Sequence, residues 1–478
     1  MNGKINNKKT LNSLGIFTSV HLMSLIFSVL RTKLAAVWLG SFGVGILGLL
    51  LSSFHLIMSI VNAGLPLTIV RNLAGESHES LGQKLTISQI ILIITGILGS
   101  LSVFVFSNQL SLLTFKNSEF TWAFRLISFS IFMKQLAIGY ASILQSQSKI
   151  VLYANANLIG NFIGVIMTLP LYYYFGIRGL VYNFICVAIV ESVVFYIAYK
   201  KARFKERNVS WDFFKNYSSL TIKEGFIFSL SSFFTLLVIY LLQIFISNQS
   251  NIYTLGIYIA GFTIINSYVS MIFNIMSIDY FPRLTEKKLY TTAFNDEVNS
   301  QFYIGILLIT PLLLLMIILA PYVVKVLFNV QFLDSVEYIY GALLGVYFKI
   351  FSWTIGFVIT SKGSKKMIIY NSIFYNSIFL IIHIIGFYYW KLIGAALAYS
   401  IYYLIHLIGN YFITKSFYSI QITQKNLSLF FLNLLILISA LLIIIYVSNY
   451  LIQFILIGFI FLIILFYSLN KLRHLYKN

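Results

Sequence analysis

The stretch Tyr172-Tyr173-Tyr174-Phe175, which closes on Gly179, recurs later in the chain as Phe387-Tyr388-Tyr389-Trp390, which closes on Gly394. Both the aromatic run and the glycine are repeated at an offset of 215 positions (387 − 172 and 394 − 179). A constant offset of this kind is the mark of an internal structural repeat. The sequence therefore predicts two copies of one bundle of elements.

The composition places the chain in a lipid bilayer. Hydrophobic residues make up 59% of the 478 residues and charged residues only 10%, whereas a water-soluble protein carries about 25% charged residues. The single cysteine, Cys186, excludes a disulfide framework and a cysteine metal cluster. We therefore predict an all-α, polytopic membrane protein.

Fourteen apolar runs are long enough to cross the membrane, because a spanning helix needs about 20 apolar residues. The predicted spans are 13–37, 43–69, 85–107, 120–144, 151–175, 179–199, 225–247, 255–279, 299–320, 336–359, 367–389, 392–413, 427–447 and 450–469. The predicted domains are an N-terminal six-helix lobe at 1–200, a cytoplasmic inter-lobe linker at 201–224, a C-terminal six-helix lobe at 225–415 and two additional transmembrane helices at 427–469. The two lobes are predicted to run in the same direction across the membrane, because six spans is an even number, and to enclose a central cavity.

The basic residues predict the orientation of these spans. With the N-terminus inside, 24 of the 33 lysines and arginines fall on the cytoplasmic side, four fall outside, and five fall within spans. Positive charge in loops marks the cytoplasmic side, so both termini are predicted to be cytoplasmic. The basic segment 200–207 then serves topology and contact with anionic lipid, and no nucleic-acid partner is expected.

Five cations lie within the predicted spans: Arg31, Lys33, Arg125, Lys134 and Lys349. A cation at the bilayer centre costs roughly 3 kcal/mol on insertion scales and is usually functional. Lys134 and Lys349 are separated by the repeat offset (349 − 134 = 215), so both are predicted to face the central cavity together with Arg31. Lys33 points to another side of its helix, and Arg125 fits an interfacial position equally well.

The polar residues of the spans complete the candidate site. Glu191 is the one acid deep in a span, and it either neutralises a cation or carries a proton. The asparagines Asn155, Asn157, Asn161, Asn266 and Asn274 either bind sugar hydroxyls or join helices to one another. An interior with five cations and one acid suits an anionic solute. The tyrosines at 172–174 and 388–389 are predicted to form interfacial belts.

Several classes of function are disfavoured by what the sequence lacks. It contains no Walker loop and no His/Cys/Asp cluster with metal-ligand spacing. A membrane-embedded polymerase or transferase would normally carry an acidic motif or a sizeable outer loop, and neither occurs here. A polytopic scaffold would have no use for cations inside its spans.

Motifs in order along the chain resemble those of a known family. They are Arg31-Thr32-Lys33-Leu34-Ala35 with Leu39-Gly40-Ser41-Phe42-Gly43-Val44-Gly45; Asp279-Tyr280-Phe281-Pro282-Arg283-Leu284; Thr310-Pro311 and Ala320-Pro321 leading to Phe332; and Gly345 with Trp353-Thr354-Ile355-Gly356 and Ser364-Lys365. They are similar to motifs of the polysaccharide transporters, or O-antigen flippases, of the multidrug/oligosaccharidyl-lipid/polysaccharide exporter superfamily. Members of this family have twelve or fourteen helices in two lobes around a cationic cavity.

The resemblance implies a function for the candidate site. Such proteins move undecaprenyl-diphosphate-linked oligosaccharide repeat units to the outer leaflet of the bacterial cytoplasmic membrane by alternating access, for O-antigen, capsule or exopolysaccharide synthesis. Arg31, Lys134 and Lys349 would then hold the diphosphate, with Lys33, Arg125, Asn155 and Asn266 as further substrate contacts. No cofactor is expected, and Na⁺ and H⁺ are the candidate coupling ions. A polysaccharide polymerase and a chain-length regulator are the implied protein partners.

Two alternatives stay open within the same fold. A lipid II flippase also carries an arginine in its first helix, which Arg31 matches. A multidrug exporter relies on acidic residues in its lobes, and this chain has few of them. The alternative from another class is the membrane-embedded polysaccharide polymerase.

Overall fold

A computed structural model describes the backbone of residues 2–76 and 78–477. The side chains of 2–18, 21, 78–79, 227–228, 274–275, 278, 365 and 475–477 lie outside the described residues. The described backbone is helical throughout most of its length and contains no strand. The prediction of an all-α fold is therefore confirmed.

Fourteen α-helices, one π-helix and one 3₁₀ turn make up the described chain. The α-helices are α1 (Asn2–Asn62), α2 (Leu65–Leu73), α3 (His78–Val105), α4 (Ser107–Phe115), α5 (Thr121–Ser146), α6 (Ile150–Lys201), α7 (Trp211–Gln249), α8 (Ile252–Thr263), α9 (Met271–Glu286), α10 (Thr292–Leu327), α11 (Ser335–Lys362), α12 (Lys365–Tyr418), α13 (Gln424–Tyr446) and α14 (Tyr450–Lys477). The π-helix is Ile264–Val269, and the 3₁₀ turn is Val330–Phe332.

Eleven helices of the described chain are long and apolar enough to cross a membrane. Three of them, with spanning segments of 41, 52 and 53 residues, are at least twice as long as the roughly 20 residues that a single crossing needs. Each of these three is interrupted near its middle, at Gly40 in α1, at Gly176 in α6 and at Trp390 and Lys391 in α12. The breaks fall between pairs of predicted spans. The predicted number of fourteen would follow if each broken helix crosses twice.

The breaks in α6 and α12 have the same backbone conformation. Gly176 has φ 54° and ψ −127°, and Lys391 has φ 50° and ψ −131°. The two residues are separated by the repeat offset (391 − 176 = 215). The repeat first seen in the sequence therefore extends to an unusual local geometry, one that normally requires glycine.

At each break the chain folds back on itself. A Cβ atom at Gly179 would lie 2.0 Å from the carbonyl oxygen of Leu171, and one at Gly394 would lie 1.9 Å from that of Gly386. In a continuous helix, residues eight positions apart are separated by about 12 Å along the axis. Both glycines are therefore needed for the close approach of two helical halves.

Burial at the two breaks also follows the repeat. Tyr172 is 2% exposed and Phe387 is fully buried, whereas the aromatic residues that follow each of them are 53–76% exposed. The predicted interfacial belt is therefore wrong for Tyr172, which turns into its unit. Hydropathy does not separate a belt tyrosine from a buried one, because both have an apolar ring and one hydroxyl.

The helices form two compact units, Met1–Gly256 and Ile257–Asn478. The predicted lobe and linker boundaries stay a prediction. In the second unit, α11 packs closely on α12 through small residues, as is usual in membranes. A Cβ atom at Gly341 would lie 2.7 Å from Ala396 Cβ, and one at Gly345 would lie 2.5 Å from the ring of Tyr399. Lys349, one turn further on, is thereby brought to Tyr399.

The segment between α6 and α7 is fastened to α3. Thr86 Oγ1 donates to the carbonyl oxygen of Arg207 at 3.0 Å, and Gln89 Nε2 donates to the Glu206 carboxylate at 3.1 Å. A Cβ atom at Gly82 would lie 2.7 Å from the carbonyl oxygen of Lys205. These contacts hold the segment against α3 within the first unit.

Candidate functional site

The first unit contains a polar cavity of about 700 Å³. Residues of α1, α5, α6 and α7 line it: Ser24, Ser28, Arg31, Thr32, Leu47, Leu51, Phe54, His55, Met58, Ser59, Asn62, Lys134, Ile138, Asn157, Asn161, Tyr172, Asn183, Phe184, Val187, Ala188, Glu191 and Leu236. Ten of these 22 lining residues are apolar or aromatic, and charged and amide groups converge among them. That composition is typical of a ligand site.

Arg31 reaches the cavity from the first half of α1. Its Nη2 donates to Asn161 Oδ1 at 2.7 Å, which takes one of the five N–H donors of a guanidinium group. Asn161 Nδ2 in turn donates to Asn157 Oδ1 at 3.0 Å, and Ser24 Oγ donates to the same oxygen at 2.7 Å. Among the described residues, no carboxylate forms an ion pair with Arg31. In the described structure a neutral amide thus orients the guanidinium, and a guanidinium group stays charged in proteins.

The first half of α6 presents these asparagines because of its spacing. Asn157 and Asn161 are four residues apart and therefore share one helix face. Gly160 and Gly164 lie beside them, and a Cβ atom at Gly164 would lie 3.8 Å from Arg31 Nη1. Gly164 therefore lies next to the guanidinium, at a distance that is ordinary van der Waals contact.

Lys134 of α5 forms an ion pair with Glu191, which lies on the second half of α6. The Lys134 side chain is 32% exposed and that of Glu191 is 13% exposed. Among the described residues that line the cavity, Arg31, Lys134 and Glu191 carry formal charges, counting His55 as neutral. The described wall therefore carries a net charge of one positive unit. Of the two predicted roles of Glu191, neutralising a cation agrees with this contact.

A second chain of polar groups lies where the two halves of α6 meet. Thr168 Oγ1 donates to Asn183 Oδ1 at 3.1 Å, and Asn183 Nδ2 donates to the hydroxyl oxygen of Tyr172 at 3.4 Å. Asn183 and Tyr172 line the cavity, although the sequence did not single them out as site residues. The repeat places Tyr172 beside a break, but no sequence signal indicates which way its ring turns.

Other predicted contacts lie elsewhere in the structure. Arg125 and Asn155 are exposed, and neither they nor the half-buried Lys33 line the polar cavity. Asn155 is two positions from Asn157 and so lies on another face of α6. The side chain of Asn274 lies outside the described residues. Substrate contact by these residues stays a prediction.

Lys349 and Asn266 meet in the second unit. Lys349 Nζ, on α11, donates to Asn266 Oδ1 at 2.9 Å. Asn266 lies on the π-helix Ile264–Val269, and π-turns inside helical segments occur frequently at functional sites. A common cavity for Lys349, Arg31 and Lys134 stays a prediction.

The repeat offset exposes a chemical difference between the units. The residue that corresponds to Glu191 is His406 (406 − 191 = 215). His406 Nδ1 is hydrogen-bonded to Ser352 Oγ, and its ring centroid lies 4.1 Å from that of Tyr375. Lys134 thus has an acidic partner, whereas the position that would supply one to Lys349 is occupied by histidine.

A larger cavity of about 970 Å³ in the second unit is lined by α10, α11, α13 and α14. Lys325 is its one charged lining residue in the described chain, and most of the wall is aliphatic or aromatic. It lacks the converging amides and charges of the smaller cavity. Chemistry, and not volume, therefore identifies the polar cavity of the first unit as the candidate site.

The chain matches a known protein family. The model of a family described as polysaccharide biosynthesis protein matches residues 39–337, which is more than half of the chain. The chain belongs to the polysaccharide biosynthesis protein family. The matched range includes Lys134 and Glu191 and begins after Arg31. No curated protein sequence matches the chain.

Solved structures share the fold of this family member. Lipid II flippase MurJ in an inward closed conformation superposes with a TM-score of 0.71 at 16% sequence identity, covering 95% of this chain and 99% of MurJ. An inward-facing multidrug resistance MATE family transporter of the MOP superfamily gives a TM-score of 0.63 at 13% identity, covering 82% and 95%. A MOP superfamily transporter from Pyrococcus furiosus gives 0.59 at 12% identity, covering 84% and 96%.

These matches confirm the family resemblance drawn from the sequence. They also show that the fold is that of a multi-pass membrane protein. At these identities the structural likeness concerns the fold alone.

Proposed function

We propose that the chain is a flippase for lipid-linked oligosaccharides that carry a diphosphate, with undecaprenyl-diphosphate-linked repeat units as substrate. The observation that carries the proposal is the polar cavity, whose described wall holds Arg31, Lys134 and one net positive charge. The family match and the fold shared with flippases and exporters support a transporter and not an enzyme.

The proposed binding chemistry follows from the donors in the cavity. Phosphate oxygens are strong acceptors, and a guanidinium group binds two of them in parallel. Arg31 would grip the diphosphate, while Asn161 and Asn157 hold its side chain in place. The remaining amides and hydroxyls suit sugar hydroxyls. The lipid tail would stay in the bilayer, since nothing is gained by removing it from hydrocarbon.

Lys134 would bind the substrate only after its ion pair with Glu191 is broken. In the described structure the carboxylate of Glu191 occupies the position beside the ammonium that a phosphate oxygen would take. Binding of the diphosphate would therefore compete with this ion pair, and a displaced Glu191 could accept a proton. Coupling of transport to H⁺ or Na⁺ stays a prediction.

The two alternatives within the fold differ in what the cavity must bind. The likeness to MurJ favours a lipid II flippase as second candidate, and lipid II likewise joins a sugar to a polyprenyl diphosphate. A multidrug exporter is less well supported, because the one carboxylate of the described cavity is already paired with Lys134. Placement in the bacterial cytoplasmic membrane and partnership with a polymerase and a chain-length regulator belong to the main proposal.

The proposal is tested by replacing Arg31. Loss of a charge contact of this kind typically costs roughly 2–5 kcal/mol, or about one to three orders of magnitude in affinity. We therefore expect Arg31→Ala to abolish flipping and Arg31→Lys to restore it in part, because lysine keeps the charge without the planar fork. The measurement is accumulation of lipid-linked repeat units on the inner leaflet, in cells with equal amounts of inserted protein.

Arg178→Ala is the matched control, since Arg178 is another arginine of the first unit but is exposed and does not line the polar cavity. It should flip normally. Full activity of Arg31→Ala would contradict the proposed role of the cavity. Accumulation of lipid II in place of oligosaccharide repeat units in Arg31→Ala cells would select the second candidate.

A further inference from the structure

Lys349 lies in the second unit within a cage of neutral oxygen atoms, called here the oxygen cage and formed by Asn266, Ser270 and Tyr399. Its Nζ donates to Asn266 Oδ1 at 2.9 Å, to Ser270 Oγ at 3.2 Å and to Tyr399 Oη at 3.4 Å. An ammonium group has three N–H donors, and the oxygen cage supplies one acceptor for each of them. Within the described chain, no carboxylate forms an ion pair with Lys349.

Two aromatic rings beside the oxygen cage also favour a cation at this position. Lys349 Nζ lies 5.2 Å from the ring centroid of Tyr403 and 5.6 Å from that of Phe273. The face of an aromatic ring is negative and attracts any small cation within about 6 Å. The surroundings of the ammonium thus combine three oxygen acceptors with two ring faces.

The backbone is adapted to build the oxygen cage. The π-helix Ile264–Val269 interrupts the α-helical bonding between α8 and α9. The Ser270 hydroxyl donates to the carbonyl oxygen of Ile265, five residues back, at 3.0 Å. Its proton is therefore engaged with the backbone, and its lone pairs are left to accept from Lys349. A rare helical turn is maintained where it brings Asn266 and Ser270 to one ammonium group.

We propose that the oxygen cage is a binding site for a monovalent cation, which the chain fills with its own Lys349 ammonium group. A neutral, three-oxygen site with aromatic walls suits a single positive charge, whereas divalent ions such as Ca²⁺ are held by carboxylates and more oxygens. The corresponding lysine of the first unit, Lys134, differs because it faces a carboxylate. In the wild-type chain a free cation has no place in the cage, so a cation that drives transport binds elsewhere.

This inference is independent of the proposed substrate and is tested by binding alone. Lys349→Ala empties the oxygen cage without changing its oxygens. The full-length variant, purified in detergent, is heated in sodium, methylammonium or ethylammonium chloride and, for comparison, in choline chloride at equal ionic strength. We expect at least one small cation to raise Tm by about 1 °C over choline at a few times its Kd. Wild type should show no such difference.

Two further variants distinguish the cage from a general salt effect. Lys349→Met fills the vacated volume with an apolar chain, and Asn266→Leu combined with Lys349→Ala removes one of the cage oxygens. Both should lose the response to small cations. The proposal is overturned if Lys349→Ala does not distinguish the cations or fails to fold in all of them. It is also overturned if Lys349→Met responds equally, or if wild type shows a response that Asn266→Leu abolishes.

Discussion

Three half-buried cations of the spans, Arg31, Lys134 and Lys349, differ in what faces them. Arg31 faces an amide oxygen, Lys134 faces the carboxylate of Glu191, and Lys349 faces neutral oxygens and aromatic rings. In a low-dielectric interior the partner decides how a charge behaves. Residue type and span position alone therefore do not define the role of an intramembrane cation.

The ion pair between Lys134 and Glu191 gives a prediction about stability. Removing one partner of a buried pair leaves an uncompensated charge, at a cost of about 3–5 kcal/mol when the site is fully buried. Lys134 is 32% exposed, so we expect a loss of about 2 kcal/mol for Glu191→Leu. The measurement is Tm of the purified protein, compared with wild type in the same detergent.

The double variant Lys134→Met with Glu191→Leu serves as the control for that prediction. It should recover most of the lost Tm, because replacing both charges removes the desolvation cost together with the attraction. It should still flip poorly, since the cavity has lost one of its two cations. A double variant as unstable as Glu191→Leu would show that the ion pair is not the cause.

The sequence predicted part of the candidate site at this scale. Arg31, Lys134 and Glu191 could be recognised because charged residues are rare in spans and costly to bury. The helical period also places Asn157 with Asn161 and separates both from Asn155. It does not say which helix face turns to the cavity, and that choice depends on contacts between distant segments, as for Tyr172 and Asn183.

Helices α6 and α12 share a break whose conformation glycine tolerates best, and only α6 has glycine there. A residue with a side chain in such a sparsely populated region costs about 1–3 kcal/mol. A Cβ atom at Gly176 would meet nothing within 4 Å, so Gly176→Ala should lower stability by backbone strain alone. Lys391→Gly should raise it, by somewhat less, because the lysine also lies 5.7 Å from the Phe387 ring.

Gly458→Ala is a matched control for these substitutions. Gly458 lies in α14, has no positive φ, and a Cβ atom there would also meet nothing within 4 Å. Alanine favours a helix interior over glycine by about 1 kcal/mol, so this variant should be neutral or stabilised. Thermal unfolding of all three variants separates strain at the break from a general effect of adding a methyl group. Equal Tm changes at Gly176 and Gly458 would refute the strain.

The elements themselves were largely predictable. Long apolar runs gave the helices, and short interruptions indicated the breaks at Gly40 and Gly176. The π-helix Ile264–Val269 was not predicted. Its sequence is as apolar as an α-helix would be, and the wider turn is stabilised by contacts such as that of Asn266 with the distant Lys349.

The orientation of the whole molecule is predicted by the distribution of its basic residues. Of the 33, 24 fall on one side of the predicted spans and four on the other. We expect fourteen crossings with both termini in the cytoplasm. Reporter fusions after Asn478 and within residues 248–254 measure this directly, and they should report the cytoplasm and the outside, respectively. An outward C-terminus would refute both the number of crossings and the parallel repeat.

The hairpins of α6 and α12 also constrain how the protein is synthesised. At each break only one or two residues separate the two helical halves. Gly179 and Gly394 let the backbones of the two halves come into contact. A helical half that entered the bilayer alone would expose the small-residue face on which its partner half packs. We therefore expect the two halves to be synthesised one after the other but to insert into the bilayer together, as one hairpin. A force measurement on nascent chains carrying residues 150–201 should record a single insertion event.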